Sequence, residues 1–400
     1  MTASRPLAGI RVLEIATFIA APFCGTILSD FGAEVIKIEQ PGEGDPLRRF
    51  GTPSEAGDSY VWLSEARNKK SMTLDLKSPR GAEIFLQLAE SAHVVLENFR
   101  PGTLESWGLG YDRLSAINPK LILLRVSGYG QTGPLRHMPG FARVAHAFSG
   151  LSHLAGAPDG PPVVPGSTSL ADYCSGLWGA VGVLIALRHA EATGRGQSID
   201  IGLYESIFRL LDELAPVYQK TGAVRSRMGA EVPHVVPHGH WQTRDAKWIA
   251  LACSSDKIFG RLARLMDRED LIQAGGYATG EARIAGRDHV NAAVAKWVGA
   301  LSADAVISQC NEAGVPCGKI LDIAEIFENE QYRARGALET FEDERVGKLA
   351  IPAGMPKMSE TPPATRSLGA ALGRDTEDIL SRILKIDDRT IESLRKMAVI

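Results

Sequence analysis

Cysteine is scarce in this sequence and shows no pairing. Cys24, Cys174, Cys253, Cys310 and Cys317 are an odd number, none in C-x-x-C spacing, which leaves no sign of a disulfide framework or a zinc site. They read as reduced thiols. Blocks of one charge sign are also missing. Lys and Arg number 44 against 47 Asp and Glu, for a net charge of -3, and no run is long enough for a nucleic-acid arm or a membrane-binding tail. The segment Met1 to Pro6 has no apolar signal core, and the apolar stretch Leu177 to Leu187 is too short to span a bilayer. Neither nucleic acid nor membrane is expected as a partner, and the expected compartment is the cytoplasm. Neither G-x-G-x-x-G nor a Walker loop is expected in this sequence, so neither nicotinamide nor ATP is implied.

What is present is an ordinary globular composition, 44% apolar and 23% charged, and a length of 400 residues that favours two or three domains. Strand and helix signals alternate. Gly9 to Ile15 reads as a strand, Pro22 as the opening of a helix through Leu28, and Val35 to Glu39 as a second strand. Ser78 and Pro79 supply an N-cap and a first-turn proline for a helix through Leu88, followed by strands at Val94 to Leu96 and Leu121 to Val126. A glycine-interrupted helix from Tyr173 to Ala190 precedes a strand at Ser198 to Gly202. Such alternation predicts an α/β fold with a largely parallel, doubly wound sheet. Residues from about 222 to 334 mix the strand Trp248 to Ala252 with helices at Phe259 to Met266 and Val290 to Leu301, as in a smaller α+β domain. Pro352, Pro356, Pro362 and Pro363 then mark an extended crossing before a helical tail. The boundaries are accordingly 1–221, 222–334 and 335–400, the last a return linker and tail.

Collinear blocks carry a resemblance. They are Pro6 to Glu14, Phe31 to Asp45, Arg67 to Ser71, Val94 to Gly102, Gly128 to Pro134, Pro139 to Phe141 and Thr193 to Gln197. Together they are similar to class III CoA-transferases of the formyl-CoA transferase and CaiB-BaiF type. The resemblance implies an interlaced homodimer. Its Rossmann-like large domain would use both ends of the chain, and the turn Gly373 to Thr376 is similar to one near the family's end. Coenzyme A or an acyl-CoA would be the nucleotide-bearing substrate, with small carboxylic or dicarboxylic acids as the other partners and neither metal nor nicotinamide required.

Asp172 matches the family's catalytic aspartate. An aspartate just before a long helix is first of all an N-cap, and both roles can hold together, because a helix N-terminus stabilises a carboxylate. Small neighbours Ala171, Ser175 and Gly176 would leave room for a thioester. By family position the CoA contacts would be Ile19, Ala20, Gln40, Leu74, Asp75, Leu76, Lys77, Asn98, Phe99, Arg100, Ser106, Met138, Pro139, Gly140 and Phe141. Lys69, Lys70 and Arg136 join Lys77 and Arg100 as cations for CoA phosphates. Gln40 and Ser106 stand where members often carry arginine. Ile19 replaces a glutamine of the oxalate and formate enzymes, so their specificity is not implied. His238, Gly239 and His240 match the region that brings a loop over the acyl group, while Trp241 and Trp248 read as core.

The resulting expectation is a CoA-transferase that works through an aspartyl-CoA thioester, with succinyl-CoA as a plausible donor. A racemase of the same fold would need a base where this chain has Phe141 and Ala142. A dehydratase component or acyl-CoA binder is the other alternative, and a serine hydrolase lacks its G-x-S-x-G elbow.

Overall fold

The computed structural model describes residues 5–400, except for the side chain of Ser167. Two compact units emerge. The first takes the chain up to Leu151, then Val164–Thr221 and Arg335–Ile400, and the second takes Ser152–Val163 and Gly222–Ala334.

In the first unit, β1 (Arg11–Glu14) leads into α1 (Ala20–Asp30) and β2 (Glu34–Glu39). After β3 (Lys70–Thr73) come α2 (Pro79–Glu90), β4 (Val94–Glu97) and β5 (Ile122–Ser127). The short helix α3 (Ala142–Phe148), the long helix α4 (Leu170–Thr193) and β6 (Ser198–Gly202) follow. The six strands form one sheet in the order β3-β2-β1-β4-β5-β6, every neighbouring pair parallel. Successive strand residues point to opposite faces. Leu13, Ile36, Val95 and Leu123 therefore pack on one face with Ile84 and Phe85 of α2, while Val12, Val35, Val94 and Leu124 pack on the other with α1 and α4. Burial on both faces is why these strands read as unbroken apolar runs. Ser78 does cap α2, its hydroxyl accepting from Gly81 N, with Pro79 in the first turn.

Helix α4 begins at Leu170, ahead of the expected start, and runs for 24 residues. It is long and apolar enough by length and composition to cross a membrane, unlike the shorter stretch read from the sequence. Its inner face packs closely, while Leu177, Val181, Leu184 and Ile185 are exposed on the other. A Cβ added to Gly176 would lie 2.7 Å from the Ala20 carbonyl oxygen, and one on Gly179 would lie 2.7 Å from Leu124. Its glycines thus let α4 press against α1 and the sheet. Ala171, Ser175 and Gly176 are buried in this packing, so the open space beside Asp172 does not come from their small side chains.

An antiparallel hairpin, Leu338–Asp343 with Gly347–Pro352, interrupts what was read as a plain return linker. The tail then docks along β3, where Ser71 N donates to Asp375 at 2.8 Å and Trp62 Nε1 donates to the Ala370 carbonyl at 3.1 Å. The sheet edge is thereby covered.

The second unit holds β7 (His238–Gln242), β8 (Trp248–Ala252) and β9 (Cys317–Lys319) in an antiparallel sheet ordered β7-β8-β9. Helices Asp256–Leu265, Arg287–Gly299 and Ala303–Ala313 supply Phe259, Val294 and Val306 to its core. Trp241 is buried there as expected. Trp248 is not: it is 47% exposed, because alternation along β8 turns it away from Ile249 and Leu251.

Candidate active site

The strand order reverses between β1 and β4. At such a point the connections leave the sheet in opposite directions and open a crevice beyond the carboxyl ends of the strands. A cavity of about 210 Å³ lies there, lined by Ala16 and Thr17 after β1, Gln40 after β2, Leu74, Leu76 and Lys77 after β3, and Phe99 after β4. The Phe99 and Trp107 rings meet edge to face at 5.0 Å and form one wall.

A turn at Thr17, Phe18 and Ile19 joins this crevice to a second cavity. Thr17 is clamped by Asn98, whose side chain accepts from Thr17 N at 2.8 Å and donates to Thr17 O at 2.7 Å. Phe18 adopts a left-handed φ of 59°, uncommon for an aromatic residue, and its N–H is held by Asp45 Oδ1 at 3.0 Å. Asp45 is in turn paired at 2.5 Å with the buried ammonium of Lys37, which also meets Glu14 at 3.2 Å. Burial opposes the Lys37 charge, yet the Asp45 and Glu14 carboxylates outweigh it and raise the lysine above its ordinary pKa. Buried charges beneath the sheet edge thus shape a strained turn.

Beyond the turn lies a cavity of about 420 Å³ lined by Phe18, Ile19, Phe50, Phe141, Ala142, Arg143, His146, Thr168, Ser169 and Asp172 among others. Phe18 packs edge-on against Phe50 at 6.0 Å and Phe141 at 6.2 Å. Asp172 stands in the first turn of α4, not at its N-cap, which is Ser169, so the expected capping role does not hold. Among the described residues its carboxyl has no hydrogen bond or ion pair, and burial pushes its pKa up to about 7. A helix N-terminus alone does not offset that desolvation. The cap comes instead from α3. His146 Nε2 accepts from Ala171 N at 3.0 Å, so the neutral ring carries its proton on Nδ1, a buried atom without a partner. Burial first, and the Arg143 charge second, lower the His146 pKa and keep the ring a neutral acceptor.

The structure divides the sequence candidates. Gln40, Leu74, Leu76, Lys77 and Phe99 line the crevice, and Ile19 and Phe141 line the Asp172 cavity. Ala20 is buried at the start of α1, and Asn98 acts through Thr17. Asp75 accepts from Lys77 N at 3.1 Å, and Ser106 donates to the Thr103 carbonyl at 2.7 Å. Arg100, Met138 and Pro139 are exposed and line neither cavity. Gly140 lies backbone to backbone with Gly128, where a Cβ on Gly128 would meet Gly140 Cα at 3.0 Å, closing the loop between them. Lys69 is no phosphate ligand: it is buried and donates to Glu14 at 3.0 Å and Pro22 O at 2.7 Å. Lys70 pairs with Glu34 at 3.1 Å. His238, Gly239 and His240 lie on β7, around a hollow of about 280 Å³ formed within the second unit. Phe18, Phe50, Arg143 and His146 escaped the sequence reading, although Arg143 and His146 are one helical turn apart just after Phe141.

Gly128 to Gly133 do spell G-x-G-x-x-G directly after β5, which corrects the expectation that this motif is absent. No helix opens there, since α3 starts only at Ala142, so the phosphate-binding helix N-terminus of a dinucleotide site is missing. The chain also matches the profile of CoA-transferase family III over residues 7–376. The chain belongs to this family of CoA-transferases. It is 52% identical to the β subunit of succinyl-CoA–L-malate CoA-transferase from Chloroflexus aurantiacus, covering 100% of this chain and 99% of that protein. The α subunit from the same organism is 50% identical, over 99% of this chain and 92% of that protein. Among solved structures, a CAIB/BAIF family protein from Brucella suis superposes with a TM-score of 0.83 at 31% identity, covering 95% of this chain and 100% of that one.

Proposed function

We propose that this CoA-transferase moves CoA from succinyl-CoA to a small carboxylic acid through covalent intermediates on Asp172. The observation that carries the reading is a half-buried carboxylate without a partner among the described residues, Asp172, in a cavity joined by one held turn to the crevice at the sheet's reversal point. The crevice suits the nucleotide part of CoA, with Lys77 as the cation for its phosphates. The pantetheine arm would cross the Thr17–Ile19 turn to bring the thioester to Asp172.

The Asp172 carboxylate attacks the thioester carbonyl and forms a mixed anhydride as CoA leaves as thiolate. The thiolate then attacks the aspartyl carbonyl, releasing succinate and leaving an aspartyl-CoA thioester. Acceptor carboxylate reverses both steps: it attacks the aspartyl thioester, and the expelled thiolate takes the acyl group from the new anhydride, regenerating Asp172. Every step exchanges one activated acyl bond for another, so the energy of the thioester is kept until the acceptor takes CoA. Kinetics should be ping-pong, with label passing between succinyl-CoA and free succinate in the absence of any acceptor. A requirement for both substrates before any exchange argues against the scheme.

Only ionised Asp172 is a nucleophile, so the first half-reaction should fall as pH drops below about 7, the value to which burial raises this carboxyl. Single-turnover rates between pH 5.5 and 8.5 measure this, and a flat profile contradicts it. Racemisation needs two groups exchanging protons at the carbon next to the thioester. His146 is the cavity's imidazole, but its Nε2 lone pair is occupied by Ala171 N–H and its Nδ1 is buried.

We also propose that two copies of the chain form a homodimer. Leu177, Val181, Leu184 and Ile185 expose the outer face of α4, and three of them line a largely apolar hollow of about 790 Å³ with Phe31 and Met355. An apolar surface of this kind favours a permanent partner. Light scattering should give twice 43.0 kDa, and Leu184→Glu should shift it toward the single mass. An active wild-type monomer contradicts the proposal.

A further inference from the structure

The lining of the Asp172 cavity holds a second, exposed charged group without a partner among the described residues. Arg143, at the start of α3, lines the cavity, and among the described residues its guanidinium has no hydrogen bond or ion pair. It makes no ion pair with Asp172, although both line the same cavity. Its charge does reach inward, because it depresses the buried His146 one turn along the same helix. The same cavity is lined by the apolar side chains of Phe18, Ile19, Phe50 and Phe141.

The geometry points to Arg143 as the group that reads the distal carboxylate of a four- or five-carbon dicarboxylate, and so as the residue that sets acid specificity. This rests on the transfer reaction at Asp172. A diacid has one carboxylate that must react and a second that stays ionised. Placing the second in an apolar cavity beside an anionic nucleophile is unfavourable unless a cation receives it. A guanidinium accepts a carboxylate through two parallel N–H···O bonds, which fixes direction as well as charge. The reacting carboxyl is then held at the Asp172 end with the carbon chain along the phenylalanines. A monocarboxylate of equal length gains nothing from Arg143 and leaves it unpaired.

The test compares acids in one assay. Wild type, Arg143→Met and Arg143→Lys are given succinyl-CoA with malate or succinate as diacid acceptors, and butyryl-CoA with butyrate as the monoacid pair. Arg143→Met should lower kcat/KM for diacids by about 100-fold, mainly through KM. The monoacid value should stay within about threefold or rise, and Arg143→Lys should fall between. Arg143 is exposed, and the monoacid rate measured beside it controls for a folding defect. Equal losses for both classes, or a wild type that prefers butyrate, overturn this inference while leaving the transfer reaction standing. A wild type that thioesterifies no acid at all overturns both.

Discussion

Asp172→Asn should lower CoA transfer by at least about 10³-fold, because the amide keeps size and position but removes the nucleophile. The variant should still bind acyl-CoA, since the crevice at the reversal point is untouched. It should also be more heat-stable than wild type at pH 7.5. Burial raises the Asp172 pKa from 3.8 to about 7, so between those values the folded state holds a proton that the unfolded chain releases. Stability from this group is therefore fully present below 3.8 and is lost as pH rises through 7. An amide has no such penalty, the usual trade of stability against function at an active site. Thermal unfolding of both proteins at pH 5 and pH 7.5 measures this, with the gap between them expected at the higher pH.

Lys37→Met should be the most destabilising of the single changes considered. Lys37 is buried between Glu14 and Asp45. Lys69 still compensates Glu14, at 2.9 Å, but Asp45 is left as a buried charge without its cation. Removing one partner of such a pair costs about 3–5 kcal/mol. Because Asp45 also holds Phe18 N and Leu47 N, activity should fall with stability. Adding Asp45→Asn should recover part of the loss in thermal unfolding, a non-additivity expected of contacting residues. Equal stability of Lys37→Met and wild type contradicts this account of the turn.

The parallel sheet was legible because its strands are buried on both faces and stand out as apolar runs between capped helices, as at Val94 to Leu96 and at Ser78 with Pro79. β3 was hidden: Lys70 to Thr73 is polar, and its place in the sheet depends on Glu34 pairing with Lys70 and on the tail covering its edge. His238 to Gln242 looked like a loop for the same reason, since its partner β8 lies beyond a turn and supplies the apolar side. At the site, the resemblance singled out Asp172, whereas its environment was not readable. Whether an aspartate near a helix start is a cap or a buried acid depends on where the helix begins, and His146 supplies the cap from a different element, 25 residues away in sequence. Lys69 shows the converse. A lysine in a matching block reads as a phosphate ligand until Glu14, far away in sequence, is found against it.

The covalent route through Asp172 is tested most directly by trapping. The protein is mixed with succinyl-CoA without an acceptor, treated with hydroxylamine or borohydride, digested and analysed by mass spectrometry. The account predicts release of succinate and modification of the peptide that carries Asp172, at that residue, as its hydroxamate or its alcohol. An unmodified Asp172 under conditions where label exchanges between succinyl-CoA and succinate, or modification of a different side chain, would contradict it.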